Sequence, residues 1–198
     1  MKVLFVHGLA SSGAYKLAEM LRICLKADVV APDVPIDPDD ALTLLRGLCA
    51  TEQPDLVVGL SWGGFLTLQL QGVPRAVINP DLHVSRLLRS MVGEVEYLSP
   101  RRDGAKTFTI TEELCDRYEA LENRPYDGTE TILGLFADQD ELVRCGAEFV
   151  ARYPGCAKEY PGKHLPTFPE VKKFIAPALQ AFVVQCKNPT CPMKAYKP

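Results

Sequence analysis

The sequence predicts an α/β fold, a doubly wound and mainly parallel six-stranded sheet with a small helical cap insertion. Six short apolar runs alternate along the chain with stretches of helical periodicity, and helices between strands supply the crossover connections that parallel strands need. With 198 residues, 47% of them hydrophobic and 24% charged, the chain can build one domain with a buried core.

The strands are predicted at residues 2–6, 29–31, 55–58, 75–78, 131–136 and 157–160. Each is a short apolar run that stops at a polar or turn-forming residue, as expected for strands buried on both faces. Ligands bind beyond the carboxyl ends of parallel strands, so the residues that directly follow these runs are the candidates for chemistry.

Apolar residues at the spacing of one helix face predict helices at 12–26, 39–50, 65–70, 82–92, 112–121 and 169–185. Residues 81–130 are too many for a structureless connection, and we expect them to form the cap. The apolar face of the first cap helix either packs on the domain or lines a ligand pocket, and it consists of Val84, Leu87, Leu88, Met91 and Val92. We expect the domain to span residues 1–186 and the tail to span residues 187–198.

Composition argues against several classes of function. The net charge of −3 provides no basic surface for nucleic acid, and no apolar run approaches the roughly 20 residues of a membrane span. The N-terminus lacks the pattern of a signal peptide and the seven cysteines are an odd number, so we expect reduced thiols in a cytoplasmic protein. Cys186 and Cys191 have no accompanying histidine, and we expect no metal and no other cofactor.

Ser61 lies within Gly59-Leu60-Ser61-Trp62-Gly63, a G-x-S-x-G sequence between an apolar run and a helical stretch. A serine at such a strand-to-helix turn takes a strained backbone, and small neighbouring residues let the helix turn back and expose the hydroxyl. Taken alone, the sequence could be an ordinary tight turn. Its position between a strand and a helix favours a nucleophile.

A nucleophilic serine needs a base and an acid, which should follow other strands of the sheet. His164 follows the sixth run; alone it could be a surface histidine, but the strand order favours a general base. Asp138 and Asp140 both follow the fifth run, and either could instead cap the next helix. His83 lies in the first cap helix and is expected to be a bystander.

Serine attack on a carbonyl creates an oxyanion, which two backbone N–H groups usually stabilise. One donor is expected from Trp62, directly after the serine, and the other from Leu9 in the loop after the first strand. In that loop His7 is expected to hold the backbone and not to act as a base. The candidate substrate-binding residues are His7, Gly8, Ser11 and Met91.

These features together resemble the YqiA/YcfP-like family of small α/β-hydrolase esterases, from residue 1 to about residue 184. The matching segments are His7-Gly8 with Ser11-Ser12, Ser61-Trp62-Gly63-Gly64, Asn79-Pro80, Asp140-Glu141 and Gly162-Lys163-His164. Residues 137–143 also resemble the G-x-x-D-x-x-V pattern of α/β-hydrolases, which places the acid on Asp140. The resemblance implies a triad of Ser61, Asp140 and His164. Bulky Trp62 departs from the family's usual sequence and could narrow or reshape the acyl pocket.

We therefore expect a serine hydrolase, either a carboxylesterase or an acyl thioesterase, that forms an acyl-enzyme intermediate with a small-molecule substrate. A serine peptidase or amidase on the same frame is the alternative, because the triad does not choose between ester and amide. From another class of protein, the alternative is a binding protein that keeps the fold without catalysis.

Overall fold

The structure, a computed structural model, describes residues 1–126, 132–153 and 155–188. The first residue of the predicted fifth strand, Thr131, lies outside the described residues, as does the tail beyond Asn188 with Cys191. Among the described residues, no helix has the length and apolar surface needed to cross a bilayer.

The strands are β1 (Lys2–Val6), β2 (Asp28–Val30), β3 (Leu56–Leu60), β4 (Arg75–Ile78), β5 (Gly93–Glu96), β6 (Thr107–Ile110), β7 (Ile132–Ala137) and β8 (Gly155–Tyr160). The helices are α1 (Lys16–Leu25), α2 (Pro38–Glu52), α3 (Trp62–Leu68), α4 (Val84–Arg89), α5 (Glu112–Glu122), α6 (Gly146–Arg152), α7 (Phe168–Glu170) and α8 (Ala176–Lys187). A π-helical turn at Val171–Ile175 joins α7 to α8.

Six strands form one parallel sheet in the order β2-β1-β3-β4-β7-β8, which confirms the predicted fold class. The strand order reverses between β1 and β3, and ligands bind at such a switch point. The register pairs Leu60 with Ile78 and Ala137 with Tyr160. Consequently the loops after β3, β4, β7 and β8 begin at the same edge of the sheet.

Burial on both faces of the sheet explains the uninterrupted apolar runs. Val3 and Phe5 belong to a cluster that includes side chains of α1 and α8, whereas Leu4 and Val6 belong to a cluster with side chains of α2 and α3. These four side chains of β1 are inaccessible to solvent. This double packing holds the strands rigidly beneath the edge from which the candidate site residues emerge.

The cap contains α4, α5 and an antiparallel pair of β5 and β6, and the helical periodicity did not predict that pair. Its strands are only four residues each, too short for a clear alternation of apolar side chains. Helix α4 ends at Arg89 although the prediction extended to residue 92, since the chain turns at Gly93 with a φ of 127° and enters β5. Helix α6 was also missed, because it buries a single side chain, Phe149.

Candidate active site

Ser61 lies at a sharp turn between β3 and α3, with φ 53° and ψ −119°. A non-glycine residue in this region of backbone space is strained and must be held there by its surroundings. The Ser61 amide donates to the Ile78 carbonyl at 3.0 Å, and the Ser61 carbonyl accepts from the amides of Phe65 and Asp81. Bonds to both neighbouring segments therefore fix the turn that presents the hydroxyl.

Two glycines are required around this turn by close backbone contacts. A Cβ atom on Gly63 would lie 2.2 Å from the carbonyl oxygen of His7 and 2.4 Å from that of Val6. A Cβ atom on Gly59 would lie 2.3 Å from Thr67 Oγ1 and 2.4 Å from the Gly63 carbonyl oxygen. The G-x-S-x-G pattern is thus a packing requirement for bringing α3 against the ends of β1 and β3.

A chain of hydrogen bonds connects Ser61 to the loops after β7 and β8. Ser61 Oγ lies 2.9 Å from His164 Nε2, and His164 Nδ1 lies 2.7 Å from Asp140 Oδ2. An ionised carboxylate only accepts hydrogen bonds, so the Nδ1 atom of His164 carries the proton and Nε2 accepts from the serine hydroxyl. Asp140 is 3% exposed and His164 is 9% exposed, so the bond between them is shielded from water, whereas the bond from His164 to Ser61 borders the cavity.

The two aspartates after β7 perform different tasks. Asp140 Oδ1 accepts from the amides of Leu142 and Val143 at 2.8 and 2.9 Å, which leaves Oδ2 directed at His164. Asp138 Oδ1 instead accepts from the Gly162 amide at 3.0 Å and ties the turn after β7 to the loop that carries His164. The two aspartates thus make different contacts, and Asp140, which the family pattern favours, is the one that contacts His164.

Asn79, which follows β4, connects the ends of β7 and β8, and the predicted site residues did not include it. Its Nδ2 atom donates to the His164 carbonyl at 2.8 Å and to the Tyr160 hydroxyl at 3.0 Å. Its Oδ1 atom accepts from the Ala137 amide at 2.7 Å. The available signal was a polar residue directly after a buried strand, the same signal that identified the two aspartates.

The loop after β1 runs beside Ser61. A Cβ atom on Gly8 would lie 3.8 Å from Ser61 Cβ, so the backbone around Leu9 borders the nucleophile. Within the described part of the chain, the backbone N–H groups of Leu9 and Trp62 donate to no protein acceptor. Both amides are therefore free to donate to a ligand, as the oxyanion prediction requires.

His7 stabilises this loop from within the core. Its Nδ1 atom donates to the Gly8 carbonyl at 2.8 Å, and its Nε2 atom accepts from the Val34 amide at 3.0 Å. Burial lowers the pKa of His7 to about 4, so the ring is neutral near neutral pH. With 1% exposure and both nitrogens engaged, the ring supports the loop and does not reach a substrate.

Ser61 and His164 open into a cavity of about 650 Å³. The cap contributes Arg86, Leu87 and Ser90 to its lining. Arg86 lies outside the apolar face predicted for this helix, yet it lines the cavity. Other predicted residues lie elsewhere: Met91 packs against the cluster shared by cap and sheet, and Ser11 is buried with its Oγ 3.5 Å from Ser99 Oγ.

The Trp62 ring points away from this cavity and does not narrow it. Its Nε1 atom donates to the Tyr118 hydroxyl at 2.9 Å, and that hydroxyl donates to the Ile36 carbonyl at 2.8 Å. The ring is 2% exposed and belongs to the cluster that includes side chains of α2, α3 and α5. Only the backbone N–H of Trp62 remains available to the site, because its side chain anchors the cap.

One group of metal-binding atoms is found among the described residues. It consists of His83, Cys145 and Glu148, whose ligand atoms lie within 4.8 Å of one another. All three line the cavity that contains Ser61.

The sequence matches the alpha/beta hydrolase family over residues 3–197, and the chain belongs to that family. Solved structures with the same fold include a monoacylglycerol lipase from Paleococcus ferrophilus, 17% identical with a TM-score of 0.65 over 92% of this chain and 94% of the other. Est1E from Butyrivibrio proteoclasticus is 16% identical, with a TM-score of 0.67 over 93% of this chain and 87% of the other.

The esterase domain of a Rhodothermus marinus protein is 21% identical, with a TM-score of 0.63 over 91% of this chain and 85% of the other. At these identities the likenesses show the fold. No curated protein matches the sequence.

Proposed function

We propose that the protein is a serine hydrolase that cleaves carboxylic esters or acyl thioesters. Ser61 is the nucleophile, His164 the general base, and Asp140 the residue that orients His164 and stabilises its charged form. The observation that carries the proposal is the continuous chain of hydrogen bonds from Asp140 to His164 and on to Ser61 Oγ, at 2.7 and 2.9 Å.

The proposed reaction has two acyl-transfer steps. His164 Nε2 takes the proton of Ser61 Oγ as this oxygen attacks the carbonyl carbon, and it returns the proton to the departing alcohol or thiol. A water molecule, deprotonated by the same nitrogen, then attacks the acyl-enzyme and releases the carboxylic acid. Ser61 regains its proton from His164, which completes the cycle.

The amides of Leu9 and Trp62 are the proposed oxyanion donors. Leu9 lies in the loop after β1 and Trp62 begins α3 after β3, the two strands that flank the switch point of the sheet. Neither amide has a protein acceptor among the described residues. One donor of this kind is worth roughly 3 kcal/mol of transition-state stabilisation. Backbone donors suit the role because the neighbouring packing already holds them in place.

A small ester or thioester is the proposed substrate. The cavity of about 650 Å³ has the size of a typical small-molecule site, and Leu87, Leu142 and Val143 give it apolar surface. Structural neighbours named as a monoacylglycerol lipase and an esterase support an ester bond as the target. We also propose that the protein belongs to the YqiA/YcfP-like group, because it shares that group's motifs. We further propose a cytoplasmic location, which the free thiols at 24, 49, 115, 145 and 186 support.

A substrate panel tests this proposal. The rate of hydrolysis is measured for p-nitrophenyl esters and acyl-coenzyme A thioesters of graded chain length, with the Ser61→Ala variant as the blank. We expect turnover of at least one short-chain member and a loss of at least about a thousandfold in the variant. Equal rates for the wild type and Ser61→Ala would contradict the proposal.

A further inference from the structure

Three side chains with metal-binding atoms converge in the cavity beside Ser61. A ring nitrogen of His83, Cys145 Sγ and a carboxylate oxygen of Glu148 lie within 4.8 Å of one another. None of these side chains takes part in the hydrogen bonds that connect Ser61, His164 and Asp140. The proposed hydrolase mechanism therefore leaves them without a role.

The three atoms lie close enough together for small side-chain movements to form a tetrahedral zinc site. Ligand atoms around Zn²⁺ lie roughly 3.3 to 3.8 Å from one another, given the usual zinc–ligand bond lengths. His83 Nε2 and Glu148 Oε2, now 2.7 Å apart, would need to separate slightly to admit the ion. Their side chains are 55% and 41% exposed, so both can make this adjustment.

Local structure holds the donors on one side of the cavity. Cys145 and Glu148 are three residues apart at the start of α6, a spacing that places them on one helix face. The hydrogen bond between His83 and Glu148 joins this face to the segment that carries His83, and Leu82 of that segment shares a hydrophobic cluster with Cys145. The His83 amide in turn donates to Asp81 Oδ1 at 2.9 Å. These contacts bring the three donors to one side of the cavity.

The electrostatics also favour a divalent cation. The carboxylates of Asp81, Glu148 and Asp140 lie close enough to the Cys145 sulfur to act on it electrostatically. The same carboxylates attract a cation, and a bound Zn²⁺ would be neutralised by one thiolate and one carboxylate. A mixed set of sulfur, nitrogen and oxygen donors suits zinc and does not suit the oxygen-seeking Mg²⁺ or Ca²⁺.

We propose that His83, Cys145 and Glu148 bind a zinc ion, with water as the fourth ligand, and that the bound ion inhibits hydrolysis by occupying substrate space. The binding does not depend on the proposed hydrolase activity; only the inhibition rests on it. The other role open to these residues is an ion pair between His83 and Glu148 that connects α4 to α6. Cys145 separates the two roles, because a thiol contributes nothing to that ion pair.

Cobalt titration tests the binding directly. Reduced, chelator-free protein is titrated with Co²⁺, and the thiolate-to-cobalt charge-transfer absorption is recorded before and after displacement by Zn²⁺. We expect this absorption in the wild type and in Cys49→Ser, a control thiol on α2, and its loss in Cys145→Ser. In His83→Gln and Glu148→Gln the cobalt affinity should fall at least about tenfold, since loss of a supporting residue alone has that effect.

Absence of the absorption in the wild type, or its persistence in Cys145→Ser, would overturn the proposal. If Cys145→Ser does not fold, His83→Gln and Glu148→Gln provide the test, because both of these side chains are exposed. Unchanged cobalt affinity in both variants would then overturn the proposal. These measurements need no substrate, so they remain decisive even where the hydrolase proposal fails.

Zinc inhibition tests the consequence. Hydrolysis of p-nitrophenyl acetate is measured with increasing Zn²⁺, and each variant is compared with its own zinc-free rate. We expect zinc to raise the apparent KM more than it lowers kcat, and the inhibitory concentration to rise at least about tenfold in His83→Gln and Cys145→Ser. Equal inhibition in the wild type and both variants would place the ion elsewhere, for example on His164, and would overturn the inhibitory role.

Discussion

Asp138 and Asp140 show how identical side chains in one turn take different tasks. Backbone donors at Leu142 and Val143 hold Asp140 Oδ1, so its second oxygen faces His164, whereas Asp138 accepts from Gly162 and holds the loop. Both contacts shape the position of His164. Only Asp140 can fix the tautomer of its ring.

Replacement of each aspartate by asparagine should separate these tasks. In Asp140→Asn the amide can no longer act as the charged acceptor for His164 Nδ1, and we expect kcat to fall by roughly a thousandfold or more. In Asp138→Asn the side-chain oxygen still accepts from Gly162, so a loss below about tenfold is expected. Steady-state kinetics on one ester substrate measures both, and a larger loss in Asp138→Asn would contradict the assignment.

His7 makes stability depend on pH. Its pKa in the folded protein, about 4, lies below the value of 6.5 for an exposed histidine. As the pH falls below 6.5, His7 takes up a proton in the unfolded chain but stays neutral in the folded protein. The stabilisation that is present above pH 6.5 is therefore lost progressively as the pH falls towards about 4.

We expect His7 to lower the free energy of unfolding by about 2 kcal/mol between about pH 7 and about pH 5. Urea unfolding of the wild type and of His7→Gln at both pH values measures this effect. The variant should be less stable at neutral pH but should lose less on acidification. The same loss in both proteins would exclude His7 as the source.

At the level of elements, the turn between β3 and α3 and the loop after β1 form one packed unit. Gly63 lets the helix approach the carbonyl groups of Val6 and His7, and His7 in turn holds Gly8 and Val34. The proposed nucleophile and the proposed oxyanion donors are consequently positioned by the same contacts. A change in one of these elements should displace the other.

Alanine at two helical glycines tests this coupling. Gly63→Ala should destabilise the protein by at least about 2 kcal/mol and reduce activity, because its Cβ would meet backbone atoms that cannot move aside. Gly47→Ala in α2 is the matched control, since no atom lies within 4 Å of its Cβ position. There we expect a gain of up to about 1 kcal/mol from helix propensity, with unchanged activity. Urea unfolding and ester hydrolysis measure both effects, and a Gly63→Ala protein as stable and active as the control would contradict the packing account.

The limits of sequence reasoning follow from what local patterns encode. Buried parallel strands appear in the sequence as apolar runs. Ser61, His164 and the pair of aspartates were predicted because they follow such runs. The choice between Asp138 and Asp140 rested on a motif, because the contacts that separate them come from distant amides. No local sequence pattern predicts that His83 lies close to Cys145 and Glu148, because this depends on contact between the cap and the segment after β7.

On the scale of the whole molecule, the cap and the sheet share one hydrophobic cluster. It contains Leu4 and Val6 of the sheet together with Val84 and Leu88 of the cap. Trp62 joins the two parts through Tyr118. The cap is therefore not expected to unfold independently.

Two probes of unfolding should report a single transition. Trp62 is the only tryptophan of the sequence, so its fluorescence follows the junction of cap and sheet, whereas far-ultraviolet circular dichroism follows the helices throughout. We expect the urea midpoints of the two probes to coincide. An earlier fluorescence midpoint would mean that the cap detaches first.

Labelling by an active-site-directed fluorophosphonate tests the central claim, that Ser61 is an activated nucleophile. We expect one covalent label on the folded protein, mapped by peptide mass spectrometry to Ser61, and its loss in Ser61→Ala, in His164→Ala and in urea. A folded wild-type protein that takes no label at Ser61, or a label that persists in Ser61→Ala, would contradict it.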